Sequence, residues 1–146
     1  MPSEMRRAAK ALVESRVETF EVAGGVEAAR ERVERALASM GAPRALRYAG
    51  AWTTVDGRPA YAATFAPGAR TPLVLNLISL VILGLVVAST WAVVTDAGGL
   101  EFLLPMVAVL ALLAMPLVIA GLAARREAEE SRITRALRAA LAEARR

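Results

Sequence analysis

Residues 71–95 read TPLVLNLISLVILGLVVASTWAVVT, and residues 102–124 read FLLPMVAVLALLAMPLVIAGLAA. Neither stretch holds a charged side chain; Arg70, Asp96, Glu101 and Arg125 bracket them. An α-helix rises about 1.5 Å per residue, so each run is long enough to cross a hydrocarbon core about 30 Å thick. The intervening Thr95-Asp96-Ala97-Gly98-Gly99-Leu100-Glu101 is short and carries the turn signal Gly98-Gly99. Two spans joined this way are antiparallel neighbours. Residues 71–124 therefore read as a transmembrane hairpin, with spans over about 72–95 and 101–124.

Arginine placement orients the hairpin. Arg70 precedes the first span, Arg125 and Arg126 follow the second, and the loop between holds only Asp96 and Glu101. Positive charge marks the cytoplasmic side, so both termini are expected in the cytoplasm. Trp91 falls near the outer end of the first span, where an indole suits the interfacial belt. Residues 1–10 hold no apolar run of the signal-peptide kind, and no cleaved leader is expected. All basic residues except Lys10 are Arg, and Ala is abundant. That usage fits a GC-rich bacterial genome and hence an inner-membrane location for a multi-pass chain.

Working outward, residues 1–70 have the pattern of a small cytoplasmic β-α-β-β module. Residues 16–22 carry Val17, Thr19, Phe20 and Val22, which is strand character, and Ala23-Gly24-Gly25 ends the run. From Val26 to Met40, the residues Val26, Ala29, Val33, Ala36, Leu37 and Met40 share one helical face. Gly41 and Pro43 stop that helix. Asp56-Gly57 then signals a two-residue hairpin turn. If Val55 pairs with Arg58, Trp52 faces Tyr61 and Tyr48 faces Phe65, giving two cross-strand aromatic pairs on one face. The expected core is Val33, Leu37, Tyr48, Trp52, Tyr61 and Phe65. An opening helix over residues 4–13 is compatible with the pattern.

Residues 125–146 predict a charged cytoplasmic helix. Ile133, Ala136, Leu137, Ala140, Leu141 and Ala144 form its apolar stripe, with Arg132, Arg135, Arg138 and Arg146 on the other side. The pattern allows three paths: a straight extension of the second span, a helix lying on the leaflet, or a return onto the sheet. The fold class is thus an α+β membrane protein in three segments, 1–70, 71–124 and 125–146.

The chain contains no Cys and no His. The usual Zn, haem and iron–sulfur ligand sets are missing, as are Cys nucleophiles and the Ser-His arrangement. No phosphate-binding loop is present: Ala23-Gly24-Gly25 lacks the Lys and the glycine spacing of one. No catalytic residue, cofactor or metal ligand is expected, and the chain reads as a non-enzyme. Asp96 and Glu101 offer two carboxylates where a Ca²⁺ ion takes about six to eight oxygens. The net charge is +4. Signs alternate along the helices and no basic cluster is interleaved with aromatics, so nucleic acid is not an expected partner.

Two sets of residues within the spans remain. Asn76, Ser79 and Thr90 occupy one sector of the first span and could face a pore or another helix, or bond their own backbone. Gly84 and Ala88, with Ala108, Ala111 and Ala114, are small residues of the kind that let helices pack closely. The expected partners are membrane lipid and either another membrane protein or further copies of this chain. The leading expectation is a non-catalytic accessory or scaffold subunit. A homo-oligomeric, holin-like pore and a membrane-tethered ligand sensor are the alternatives.

Overall fold

The structure is a computed structural model and describes residues 2–96 and 98–142, without the side chains of Pro2, Leu100 and Glu101. The expected roles of Glu101, Ala144 and Arg146 lie outside the described residues. In chain order the elements are α1 (Pro2–Val13), β1 (Arg16–Glu21), α2 (Val26–Met40), β2 (Leu46–Val55), β3 (Arg58–Pro67), α3 (Thr71–Thr95) and α4 (Leu100–Ala142). It is a mixed α+β chain with a small three-stranded sheet and two long apolar helices that could cross a membrane.

The sheet is antiparallel, in the order β1-β3-β2. The β2–β3 turn is Asp56-Gly57, with φ of 50° and 75°. Both values are positive, as a two-residue hairpin turn that follows the strand twist requires. It sets the register Val55↔Arg58, Trp52↔Tyr61 and Tyr48↔Phe65. The Trp52 and Tyr61 rings meet edge-on at 4.9 Å, and those of Tyr48 and Phe65 are tilted at 5.8 Å. Such pairs add stabilisation beyond the area they bury.

Two helices cover this aromatic face. One is α2, through Ala29 and Val33 with Leu37 and Met40 at its margin. The other is the second half of α4, through Ile133, Leu137, Ala140 and Leu141. No break separates residues 124 and 125: α4 runs unbroken for 43 residues, through Pro105 and Pro116. The tail therefore both extends the second apolar run and lies on the sheet, so two of the three paths open to it are one path.

The apolar half of α4 pairs with α3. Half-buried and buried positions on α3 include Thr71, Leu75, Ile78, Ile82, Leu85, Ser89 and Ala92, alternating steps of four and three, with Val74 and Ala88 half-buried beside them. On the apolar half of α4 they include Leu104, Ala108, Ala111, Met115, Ile119 and Leu122, with Pro105 and Ala123 half-buried beside them. That spacing is the seam of two helices packed at a shallow angle. The rest of each helix surface is bare. Only 11% of each 18-residue apolar window is buried, where the core helix of a water-soluble domain would be mostly buried. Leu73, Leu80, Leu113, Leu117 and Phe102 are among the large apolar side chains left exposed. An apolar surface of that extent is what a helix pair in lipid presents.

Candidate functional site

Where α4 leaves its apolar half, it carries Arg126, Glu130, Thr134 and Arg138 at intervals of four. Four-residue spacing places them in one row along the helix. That row lies beside the buried stripe and fastens α1 and β1 to α4. Arg126 is 4% exposed, and its guanidinium donates to the carbonyl oxygens of Ala11 and Glu14, the latter at 2.5 Å. Both carbonyls lie at the C-terminal end of α1, where helix carbonyls lack intrahelical partners and the helix dipole is negative. One cation thus satisfies two orphan acceptors. Glu130 pairs with Arg16 at 3.1 Å. Thr134 donates to Glu18 at 3.3 Å, and Arg138 pairs with the same carboxylate at 2.9 Å. On the other side, the Glu129 carboxylate accepts from the backbone N–H groups of Arg44 (3.3 Å) and Ala45 (2.8 Å). It thereby fixes the loop that leads into β2.

Between α1, β1 and α4 this row leaves a cleft of about 1060 Å³. One wall comes from α1, with Glu4, Met5, Arg7 and Ala8. The opposite wall is α4, and it changes character along its length. Pro116, Leu117, Ala120 and Ala123 give way to Arg126, Glu127 and Glu130. Pro116 has no N–H, so the Leu112 carbonyl four residues earlier has no helical donor there.

The core of the module holds one unusual polar contact. The hydroxyls of Tyr48 and Tyr61 lie 2.5 Å apart. Gly50 makes room for them: a Cβ there would overlap the Tyr61 hydroxyl and sit 2.7 Å from that of Tyr48. Burial, then the hydrogen bond and charge of Tyr61, push the Tyr48 phenol well above its ordinary range. Phe65 is fully buried, Tyr61 and Val33 nearly so, and Leu37, Tyr48 and Trp52 pack at the edge of the cluster.

The remaining predicted residues fall as follows. Ala108 is buried and Ala88 and Ala111 are half-buried at or beside the α3–α4 seam, whereas Gly84 and Ala114 are exposed on outer faces. Ser89 and Ala92 contribute buried small side chains that the small-residue reading omitted. The four-three spacing from Thr71 to Ala92 is the signal that finds them. Asn76, Ser79 and Thr90 are exposed, away from the seam. Ser79 donates to the Leu75 carbonyl at 2.9 Å and Thr90 to that of Val86 at 2.9 Å, so both hydroxyls are satisfied within their own helix. Arg70 precedes α3 at an exposed position, Arg125 is exposed, and Trp91 is 62% exposed near the end of α3. Arg126 sits apart from these anchors because it is buried against α1. Among the described residues, no group of three or more Asp or Glu side chains is arranged to hold a metal ion.

No family model matches this sequence, and comparison with curated proteins and with solved structures finds no similar chain.

Proposed function

We propose that the chain is a non-catalytic accessory or scaffold subunit of a bacterial inner-membrane complex, which holds its small module at the cytoplasmic face in a fixed orientation. The observation that carries this reading is the sharing of α4. Its first half pairs with α3 as an apolar hairpin, and its second half supplies Ile133, Leu137, Ala140 and Leu141 to the module core. A module on a flexible linker samples many orientations. Here the connection is a helix without a break, so the hairpin sets the pose of the sheet.

A subunit of this kind needs a surface to offer. Alternation along the strands turns Val17, Thr19, Ala49, Ala51, Thr53, Ala62 and Thr64 away from the two covering helices. The middle of that sheet face carries small side chains, bordered by the exposed Val17 and by Glu21, Arg47 and Val55 on the same side. The pore alternative has less support, since Ser79 and Thr90 direct their hydroxyls to their own backbone. The sensor alternative is weakened by the close packing of Tyr48, Trp52, Tyr61 and Phe65 on one another.

The test is gentle extraction of the tagged chain from its native membranes, followed by native mass spectrometry. A defined hetero-complex is the expected result. A bare monomer with no partner removes the accessory reading, and a homo-oligomer alone shifts the weight to the pore.

A further inference from the structure

We infer that the cleft between α1 and α4 is a binding site for one zwitterionic aminophospholipid of the surrounding bilayer. The inference rests on the reading of the hairpin as membrane-spanning. On that reading, residues 116–124 are the last turns of the apolar half of α4, at acyl depth, and the exposed Arg125 marks the headgroup boundary. The α4 wall of the cleft crosses that boundary. Pro116, Leu117, Ala120 and Ala123 present an apolar channel continuous with the bare surface of the helix, and Leu117 is 76% exposed. Beyond Ala124 the same wall is charged. A molecule that fills the whole cleft must be apolar at one end and ionic at the other, and it must reach the site from the bilayer. A phospholipid meets both requirements.

The charges select the headgroup. Four basic and four acidic side chains line the cleft. Most are already engaged: Arg16 with Glu130, Arg138 with Glu18, and Arg126 with the end of α1. Among the described hydrogen bonds and ion pairs, none uses Arg7, Glu4 or Glu127. One cation and two carboxylates are thus left to face a ligand. A phosphate accepts from the Arg7 guanidinium, and a primary ammonium donates to Glu127 or Glu4. A lipid whose only charge is negative offers the two carboxylates neutral hydroxyl donors but no cation, and so forgoes the stronger charge-assisted pair. A trimethylammonium group carries positive charge but no N–H to donate. Phosphatidylethanolamine is the headgroup class that satisfies both ends.

The experiment uses the full chain in two stages. Alkaline carbonate washing of native membranes comes first. Release into the supernatant would overturn the membrane reading itself, whatever lipids do. If the chain stays in the membrane, it is reconstituted into nanodiscs holding equal mole fractions of phosphatidylethanolamine, phosphatidylglycerol and phosphatidylcholine. Native mass spectrometry then counts the lipids that survive collisional stripping. The expected result is one retained phosphatidylethanolamine per chain. Arg7→Ala and Glu127→Gln should each lower its occupancy against the other two lipids by roughly tenfold, the size of losing one charge-assisted hydrogen bond. Both residues are exposed, so folding tolerates the changes. Ala120→Leu with Ala123→Leu fills the apolar end and should remove the adduct while the Trp52 signal of the folded module is unchanged. Equal retention of phosphatidylglycerol or phosphatidylcholine, or no retained lipid, would overturn the inference and leave the membrane reading in place.

Discussion

The two halves of α4 are one helix with two kinds of surface. Residues 102–124 are apolar around the whole circumference and use only a narrow seam against α3. Residues 125–142 are charged on one side and buried on the other, against a sheet. Leu113 and Leu137 are chemically identical, yet Leu113 is 67% exposed and Leu137 is 0% exposed. The difference lies in what surrounds each side chain. Where lipid surrounds the first half, as proposed, burial gains nothing there, because lipid tails are as apolar as leucine. In the second half, the hydrophobic effect drives the stripe onto the aromatic face. A single helix is thus uniformly apolar at one end and patterned for burial at the other.

The largest expected effect breaks this comparison directly. Leu137→Ala should destabilise the module by about 2–5 kcal/mol, the range for deleting a fully buried leucine side chain. Leu113→Ala should change it by no more than about 0.5 kcal/mol. Trp52 lies in the module and Trp91 near the end of α3, so Trp91→Phe leaves a fluorophore that reports the module alone. Denaturation followed by that signal measures both variants. Equal effects at the two positions would mean that the tail does not belong to the module core.

Arg126 is the next test, because it sits where the halves meet. Arg126→Met keeps the length of the side chain and leaves the Ala11 and Glu14 carbonyls without their donor. Loss of a buried partner costs about 1–3 kcal/mol. The cost should appear as release of α1, with faster tryptic cleavage at Arg6, Arg7 and Lys10, while α2 and the hairpin stay intact.

How much of this was legible in the sequence follows from the same contrast. The β2–β3 register could be read because Asp56-Gly57 is a local signal and strand alternation does the rest. The α2 boundaries were legible because Gly25 and Gly41 bracket a clean apolar face. The ionic contacts of α4 were not legible. Arg126, Glu129, Glu130 and Arg138 look like a solvated charged face, because their partners Ala11, Ala45, Arg16 and Glu18 are far away in sequence. Pairing across such separations is a property of the assembled fold. The course of the tail stayed open for a related reason: an apolar stripe specifies that a face is buried, not against what.

Gly50 sharpens the account of the module. Gly50→Ala places a methyl where the Tyr61 hydroxyl lies, so the Tyr48–Tyr61 contact must open. Overpacking of this kind costs about 1–3 kcal/mol, and thermal denaturation in detergent measures it. The same pair predicts an alkaline limit. Tyr48 holds its proton in the folded state to higher pH than in the unfolded chain. Its contribution is therefore complete below the ordinary phenol range, about pH 10, and declines above it as only the unfolded state ionises. Stability curves from pH 9 upward should fall more steeply for the unaltered protein than for Tyr48→Phe. Parallel curves would show that the phenol is not sequestered.

The smallest expected effect is on the outer face of α2. Arg30 and Glu34 form an i,i+4 pair at 3.3 Å, with both side chains well exposed. Such pairs contribute about 0.3–0.5 kcal/mol. Glu34→Gln should therefore be nearly silent in the purified protein, in contrast with the pairs that α4 makes to β1, where Glu130 and Glu18 are largely buried. The informative measurement sets purified protein beside native membranes. A variant silent in detergent that still loses stability or abundance in the membrane has lost a contact the isolated chain does not make. That outcome would place a partner on α2 rather than on the open sheet face. Silence in both settings leaves the sheet face as the surface to probe, beginning with Ala51 and Ala62.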